Sequence, residues 1–360
     1  MPSVALTETL NPISTLQYVQ QHIIGIECEV FEASLYDFTV AAWPHIDSAP
    51  FATGGYCLQA VCEHLEAASD GYIQNLLINI PPRFSKSTIV GTMFPAWVWA
   101  QKSRTMLSGP GAQFLCAGYA MNLSLQDSVK CRNLMLSDWY PMHWADRFQL
   151  VGDMNTKARF QNNKNGQRIT VSVGGATTGL GGSYLIGDDL NNAAEANSDA
   201  MIEAAINWWD TAWYNRLNNS KIGQGCRIVV AQRLSERDIS GHVIDKQIGD
   251  WTHLCLPMRF EPERSFHNVL VPAWATDDGE PIIWQDPRTE PGELLWPERF
   301  DEHQVMLLEK TLGPYAAAGQ LQQRPEPATG GVIKRDWWEL YPFEQFPSMD
   351  YIIASVDTAY

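Results

Sequence analysis

The run Leu76-Leu-Ile-Asn-Ile, followed by Pro81-Pro-Arg-Phe-Ser and then Lys86-Ser87-Thr88, joins a short apolar strand to a turn and a helix-compatible stretch. That order confines the chain to folds in which a buried strand ends beside a helix N-terminus, where backbone N–H groups converge on an anion. A lysine at the turn adds a charge for phosphate, and the next hydroxyl can help hold magnesium. The stretch therefore reads as a phosphate-binding loop formed by Pro82, Arg83, Phe84, Ser85, Lys86, Ser87 and Thr88. It departs from the usual pattern, which wants glycine where this chain has Ser85 and, five residues earlier, Ile80.

Nucleotide hydrolysis also needs carboxylates for the metal and the attacking water. Tyr184-Leu-Ile-Gly ends in Asp188-Asp189, at the C-terminal end of an expected strand, where open α/β sheets bind ligands. Asp188 would hold magnesium together with Ser87, and Asp189 would orient or deprotonate the water. Arg83, a second positive charge at the turn, could touch the γ-phosphate or a neighbouring carboxylate.

Further apolar runs at 114–119, 168–173 and 227–231 read as strands, and 56–67, 87–101, 122–136 and 200–217 as helices, with Pro95 expected to kink or interrupt the second. Strands alternating with helices predict an α/β fold with a mainly parallel sheet flanked by helices on both faces. Residues 1 to about 30 show no strong period. After about Asp250 the composition turns proline-rich and acidic, which suggests a smaller lid subdomain, and Gln323-Arg-Pro-Glu-Pro-Ala-Thr-Gly-Gly reads as a linker. The last run, from Tyr351, is a strand ending in Asp357. Trp208, Trp209 and Trp213, at helical spacing, read as packing residues, as do His242 and His253.

The seven cysteines include no Cys-x-x-Cys pair and no histidine at zinc-ligand spacing, which argues for reduced thiols in a cytosolic compartment. No apolar run approaches a membrane span and the first residues lack a secretory signal, so a soluble intracellular protein is expected. The net charge is -16, yet Pro81–Val171 holds eleven basic and four acidic residues, a local basic face compatible with nucleotide or nucleic acid.

Several segments, in order along roughly residues 40 to 360, resemble the ATPase portion of tailed-phage terminase large subunits, the motors that package DNA into proheads. They are Asn79-Ile-Pro-Pro-Arg-Phe-Ser-Lys-Ser, Gly118-Tyr-Ala-Met-Asn-Leu-Ser, Ser137-Asp-Trp-Tyr, Gly174-Gly-Ala-Thr-Thr-Gly-Leu-Gly-Gly-Ser-Tyr-Leu-Ile-Gly-Asp-Asp, Gln232-Arg-Leu-Ser-Glu-Arg-Asp-Ile-Ser-Gly and Gln322-Gln-Arg-Pro. The resemblance implies a P-loop NTPase of the ASCE-like kind over residues 1–250, a lid over 251–322, a linker over 323–345 and, from 346, the start of a ribonuclease-H-like nuclease carrying Asp357. It implies a magnesium-dependent ATPase that moves double-stranded DNA into a procapsid, with ATP and Mg2+ as cofactors. It also implies Lys86 and Ser87 on phosphates and magnesium, Asp188 and Asp189 as metal and water carboxylates, and Gln232 and Arg233 in a coupling motif. The implied partners are DNA, a portal protein, a small terminase subunit and further copies in a ring, in the cytoplasm of an infected bacterium and docked transiently on the portal. No membrane is involved, and no DNA cleavage is expected from Asp357 alone.

Two further departures are Gln232, in place of a small hydroxyl residue, and Leu180, where many relatives carry an arginine that reaches into the next subunit. Arg132, Arg104 and Arg168 are the alternatives for that finger. Other readings of the same residues are a helicase-like ATPase and a non-catalytic assembly protein with a degenerate loop.

Overall fold

The computed structural model describes residues 12–326 except 53, 104, 197, 220, 222 and 247–249. Asp357, the expected nuclease strand, nearly all of the expected linker and Arg104 lie outside the described residues. The described residues begin with α1 (Pro12–Ala33), α2 (Leu35–Ala42), α3 (Tyr56–Ser69) and β1 (Asn75–Asn79). A helix then runs from α4 (Lys86–Thr88) through a π-helical turn, Ile89–Met93, into α5 (Phe94–Ala100). Next come β2 (Gln113–Gly118), α6 (Met121–Met135), α7 (Trp139–Trp144), β3 (Leu150–Asn155), β4 (Arg159–Asn162), β5 (Gln167–Ser172) and β6 (Tyr184–Asp188). They are followed by α8 (Asp199–Trp208), β7 (Cys226–Ala231), α9 (Ile239–Lys246), β8 (Thr252–Cys255), the hairpin β9 (His267–Val271) and β10 (Ile282–Gln285), and α10 (Glu302–Gln320).

Eight strands form one sheet in the order β3-β4-β5-β2-β6-β7-β1-β8, parallel from β5 to β8 and antiparallel only at β3 and β4. The fold is thus the expected α/β type, with a mainly parallel sheet flanked by helices. One strand, β7, separates β1 from β6.

The central strands are apolar almost throughout because each is buried on both faces, and alternate side chains enter different cores. Leu76, Ile78, Phe114, Tyr184, Ile186, Ile228 and Val230 join the larger core with α2, α3 and α5. Leu77, Leu115, Leu185 and Val229 point the other way, against Trp208, Trp209 and Trp213. The three tryptophans are therefore packing residues, as read from their spacing.

Pro95 does not interrupt its helix. The π turn just before it widens the helix by one residue, and this is where a ring lacking N–H and clashing with the preceding turn can be accommodated. α1 forms where the sequence shows no strong period. Beyond residue 250, where the composition changes, β8 is a sheet strand paired to β1. After it, Leu256, Met258, Leu270, Trp284, Leu295, Trp296, Val305 and Leu321 enter the larger core, so this segment packs as part of the same body.

Candidate functional site

β1 ends at Asn79, whose amide nitrogen donates to Ala231 O (3.2 Å) and Ser240 Oγ (3.0 Å) and whose Oδ1 accepts from His253 Nε2 (2.9 Å). Burial, with Arg233 and Arg264 nearby, pushes the His253 imidazole down to about 3, so it stays neutral and acts as a structural donor. With the strand end fixed, the next residues turn sharply: Arg83 and Ser85 have φ of 67° and 55°. Such left-handed backbone is what glycine allows freely. Ser85 therefore keeps the glycine-like shape of the loop without being glycine.

Left-handed strain costs a non-glycine residue about 1–2 kcal/mol, and glycine's extra unfolded-state freedom offsets about 0.4–1 kcal/mol of that. Ser85→Gly is thus expected to stabilise the fold by about 0.5–1 kcal/mol. A urea midpoint that falls would contradict this account of the loop. Phe84 was expected among the nucleotide-binding residues. Its ring is fully buried, 6.1 Å from Trp296 and 5.3 Å from Phe300. Its side chain anchors the loop, and only its backbone is left for a ligand.

Two polar contacts tie this loop to the end of β6. Lys86 Nζ lies 3.0 Å from Asp189 Oδ2, and Ser87 Oγ donates to Asp188 Oδ1 at 3.1 Å. Asp189 also has a positive φ, 42°, and its Oδ1 accepts from the backbone N–H of Gln232 at 3.3 Å. The four residues singled out by sequence, Lys86, Ser87, Asp188 and Asp189, converge at the C-terminal ends of parallel strands. Burial and the negative charge of Asp189 hold the Asp188 carboxyl well above the usual carboxylate range, against the pull of Lys86.

The site opens on a cleft of about 270 Å³ lined by Ser87, Thr88, Tyr119, Asp127, Lys130 and the two aspartates, among others. At its floor, a Cβ on Gly118 would sit 2.4 Å from Ser124 Oγ on α6 and 3.1 Å from Asp188 O on β6, so a side chain here would crowd both neighbours of the strand end. Burial pushes Asp127 up to about 6 despite Arg168 and Lys130. Among the described residues no group of three or more His, Cys, Asp or Glu forms a metal cage. Magnesium carried by a nucleotide needs less: one or two carboxylates, with phosphates and water completing the shell. The Ser87 hydroxyl and a carboxyl whose ionisation is disfavoured until a cation arrives fit that requirement.

Beyond Gln232 the chain makes a tight buried turn. Arg233 Nε contacts both carboxylate oxygens of Asp238 at 3.0 and 3.1 Å, and the same carboxylate accepts from the N–H groups of Leu234, Ser235 and Gly241. The Arg233 N–H donates to Gln323 Oε1 at 2.9 Å, just past α10. Asp189, Gln232, Arg233 and Gln323 are therefore linked in sequence through hydrogen bonds and the backbone. Breaking the pair with Arg233→Ala leaves a buried carboxylate without its counter-charge and is expected to cost about 3 kcal/mol, read as a lower urea midpoint. A change under about 0.5 kcal/mol, typical of surface sites, would contradict that placement.

Other sequence expectations are redistributed. Arg168 is 1% exposed and bonded to Thr170 Oγ1 and Gly91 O, so it cannot reach a neighbouring subunit. Arg132 is half-buried, its Nη1 at 3.5 Å from Asn155 O. Leu180 packs against the smaller core. Within the basic segment Lys86 pairs with Asp189, Lys130 with Asp47 and Arg147 with Glu32, whereas Arg83, Lys102, Lys157 and Lys164 are exposed. Asp127 and the Trp296 anchor were not singled out, since each is placed by tertiary contact rather than by any local pattern; Gln323 lies in the Gln322-Gln-Arg-Pro segment, and its bond to Arg233 is likewise tertiary.

No family model matches the chain, and no curated protein matches it. Among solved structures it is similar to the HK97 bacteriophage large terminase, at 10% identity and a TM-score of 0.39 over 58% of this chain and 40% of that one. It is also similar to the large terminase of a thermophilic bacteriophage in complex with ADP, at 9% identity and a TM-score of 0.38 over 76% of this chain and 52% of that one. The chain thus spans about half the length of these structures or less. Function has to be read from the site itself.

Proposed function

We propose that this chain is a magnesium-dependent ATPase that drives movement of double-stranded DNA, as a terminase large subunit does. The observation that carries the proposal is the pair of contacts Lys86–Asp189 and Ser87–Asp188, which joins the loop after β1 to the end of β6 across the intervening β7. This is the arrangement that phosphoryl transfer to water requires: a lysine for phosphate, a hydroxyl and carboxylate for the metal, and a second carboxylate for the water.

In this reading Lys86 leaves Asp189 for the β/γ-phosphates when nucleotide enters, helped by the loop N–H groups of residues 82–88. Asp189, released, orients the attacking water and accepts its proton. Arg83, exposed at the turn, meets the γ-phosphate. Magnesium, when bound through Ser87 and Asp188, neutralises charge on the phosphate oxygens. Movement of Asp189 then reaches Arg233 and Gln323 through the Gln232 N–H, which gives the coupling segment its path. The DNA partner would be gripped by phosphate contacts with little sequence preference, in a ring of copies on a portal with a small subunit. A finger from a neighbouring copy would then be needed for full turnover, so a monomer should be slow. Among the described residues no helix is long and apolar enough to cross a membrane.

Phosphate release is expected to rise several-fold on adding duplex DNA of any sequence, and the stimulation should fall steeply with salt. Hydrolysis indifferent to DNA at low salt would sink the translocation reading while leaving the ATPase standing.

A further inference from the structure

α1 has two apolar faces, and the body of the protein uses only one. On that face Cys28 and Phe31 pack against the larger core, Glu27 meets His143 Nε2 at 3.0 Å and Glu32 pairs with Arg147. Val19, Ile23, Ile26 and Val30 lie on another face and are 47%, 51%, 62% and 46% exposed. Every side chain from Gln17 to Ile23 is exposed, so these turns of α1 stand clear of the body. A helix that is apolar on two sides is normally covered on both.

The spacing shows what would cover it. Val19, Ile23, Ile26 and Val30 follow the alternating four- and three-residue steps of a coiled-coil seam, and the same step reaches back to Leu16 in the sequence. The occupant is therefore another helix. α1 contains no lysine or arginine, which disfavours an anionic membrane surface. The positions flanking the seam are Gln20, His22, Glu27 and Glu29. In a parallel, in-register pair, His22 of one helix faces Glu27 of the other, while Glu29 faces Ser34. Glu27 already bonds His143 in its own chain and Glu29 faces the uncharged Ser34, so self-pairing opposes no like charges across the flanks.

We propose that α1 pairs with α1 of a second copy of this chain, parallel and in register, through Val19, Ile23, Ile26 and Val30. The pairing does not rest on the nucleotide site, and Lys86→Ala should leave it intact. With β-branched residues at both seam positions, more than two strands are also accommodated.

Sedimentation equilibrium of the full chain tests this. The wild type should rise from the 40.4 kDa monomer to at least twice that mass through the micromolar range. The double variant Ile23→Glu/Ile26→Glu, at exposed positions and with an unchanged circular dichroism spectrum, should stay monomeric. Ile26→Cys, which faces itself across the pair, should cross-link under mild oxidation, whereas Gln21→Cys, off the seam, should not exceed the wild-type background. A wild type that stays monomeric, a double variant that associates like wild type, or equal cross-linking at both cysteines would each overturn the proposal.

Discussion

Asp189→Asn is expected to lower ATP turnover by about 10²–10⁴-fold, the range usual for a lost general base, while nucleotide affinity changes by only a few fold. The reason lies in what the substitution keeps. Asparagine matches aspartate in size and can still accept from the Gln232 N–H, now 3.3 Å from Oδ1. It loses the charge that holds Lys86 and the oxygen that can take a proton from water. Turnover and affinity should therefore separate, as they do when an interaction is made only in the transition state. A variant that loses affinity and turnover equally would place Asp189 in binding.

Lys86→Ala is expected to lower both steeply. The alanine removes the charge for phosphate, and affinity for the magnesium–nucleotide complex should fall by about 10²-fold or more, in line with truncating one partner of a buried charge pair at about 2–5 kcal/mol. It also removes the cation that opposes the upward shift of Asp188. A carboxyl whose folded value lies above its unfolded one favours the protonated native state. Stability from this source is complete below the unfolded value and declines as pH rises through the folded value. Without Lys86 that decline should extend to higher pH and can be followed by urea unfolding. Retained nucleotide affinity would remove Lys86 from the site.

The central strands could be read from the sequence because burial on both faces makes them nearly continuous apolar runs, as in Cys226-Arg-Ile-Val-Val-Ala. β3, β4 and β8 could not. Arg159-Phe-Gln-Asn and Thr252-His-Leu-Cys are short and carry polar side chains, and their strand character comes from pairing with β5 and β1. α1 was missed for the opposite reason. Its body-facing residues and its exposed seam together place apolar side chains around most of the helix, which flattens the 3.6-residue period that a single buried face would show.

The site was more legible than much of the frame around it. Lys86-Ser87 and Asp188-Asp189 each follow a buried strand, and the sheet order brings them together although about a hundred residues separate them in sequence. What the pattern did not contain was support. Phe84 is turned away from the cleft by Trp296, Gln323 closes on Arg233 from beyond α10, and Arg168 spends its charge inside the core. These roles depend on which elements pack together, and no local motif encodes them.

The central claim, that Lys86, Ser87, Asp188 and Asp189 form a nucleotide site, is tested most directly by calorimetric titration of a non-hydrolysable ATP analogue into the chain. With magnesium present, the account predicts saturable binding at one site per chain in the wild type, weakened by about 10²-fold or more in Lys86→Ala. No binding by the wild type, or equal binding by both proteins, would contradict it.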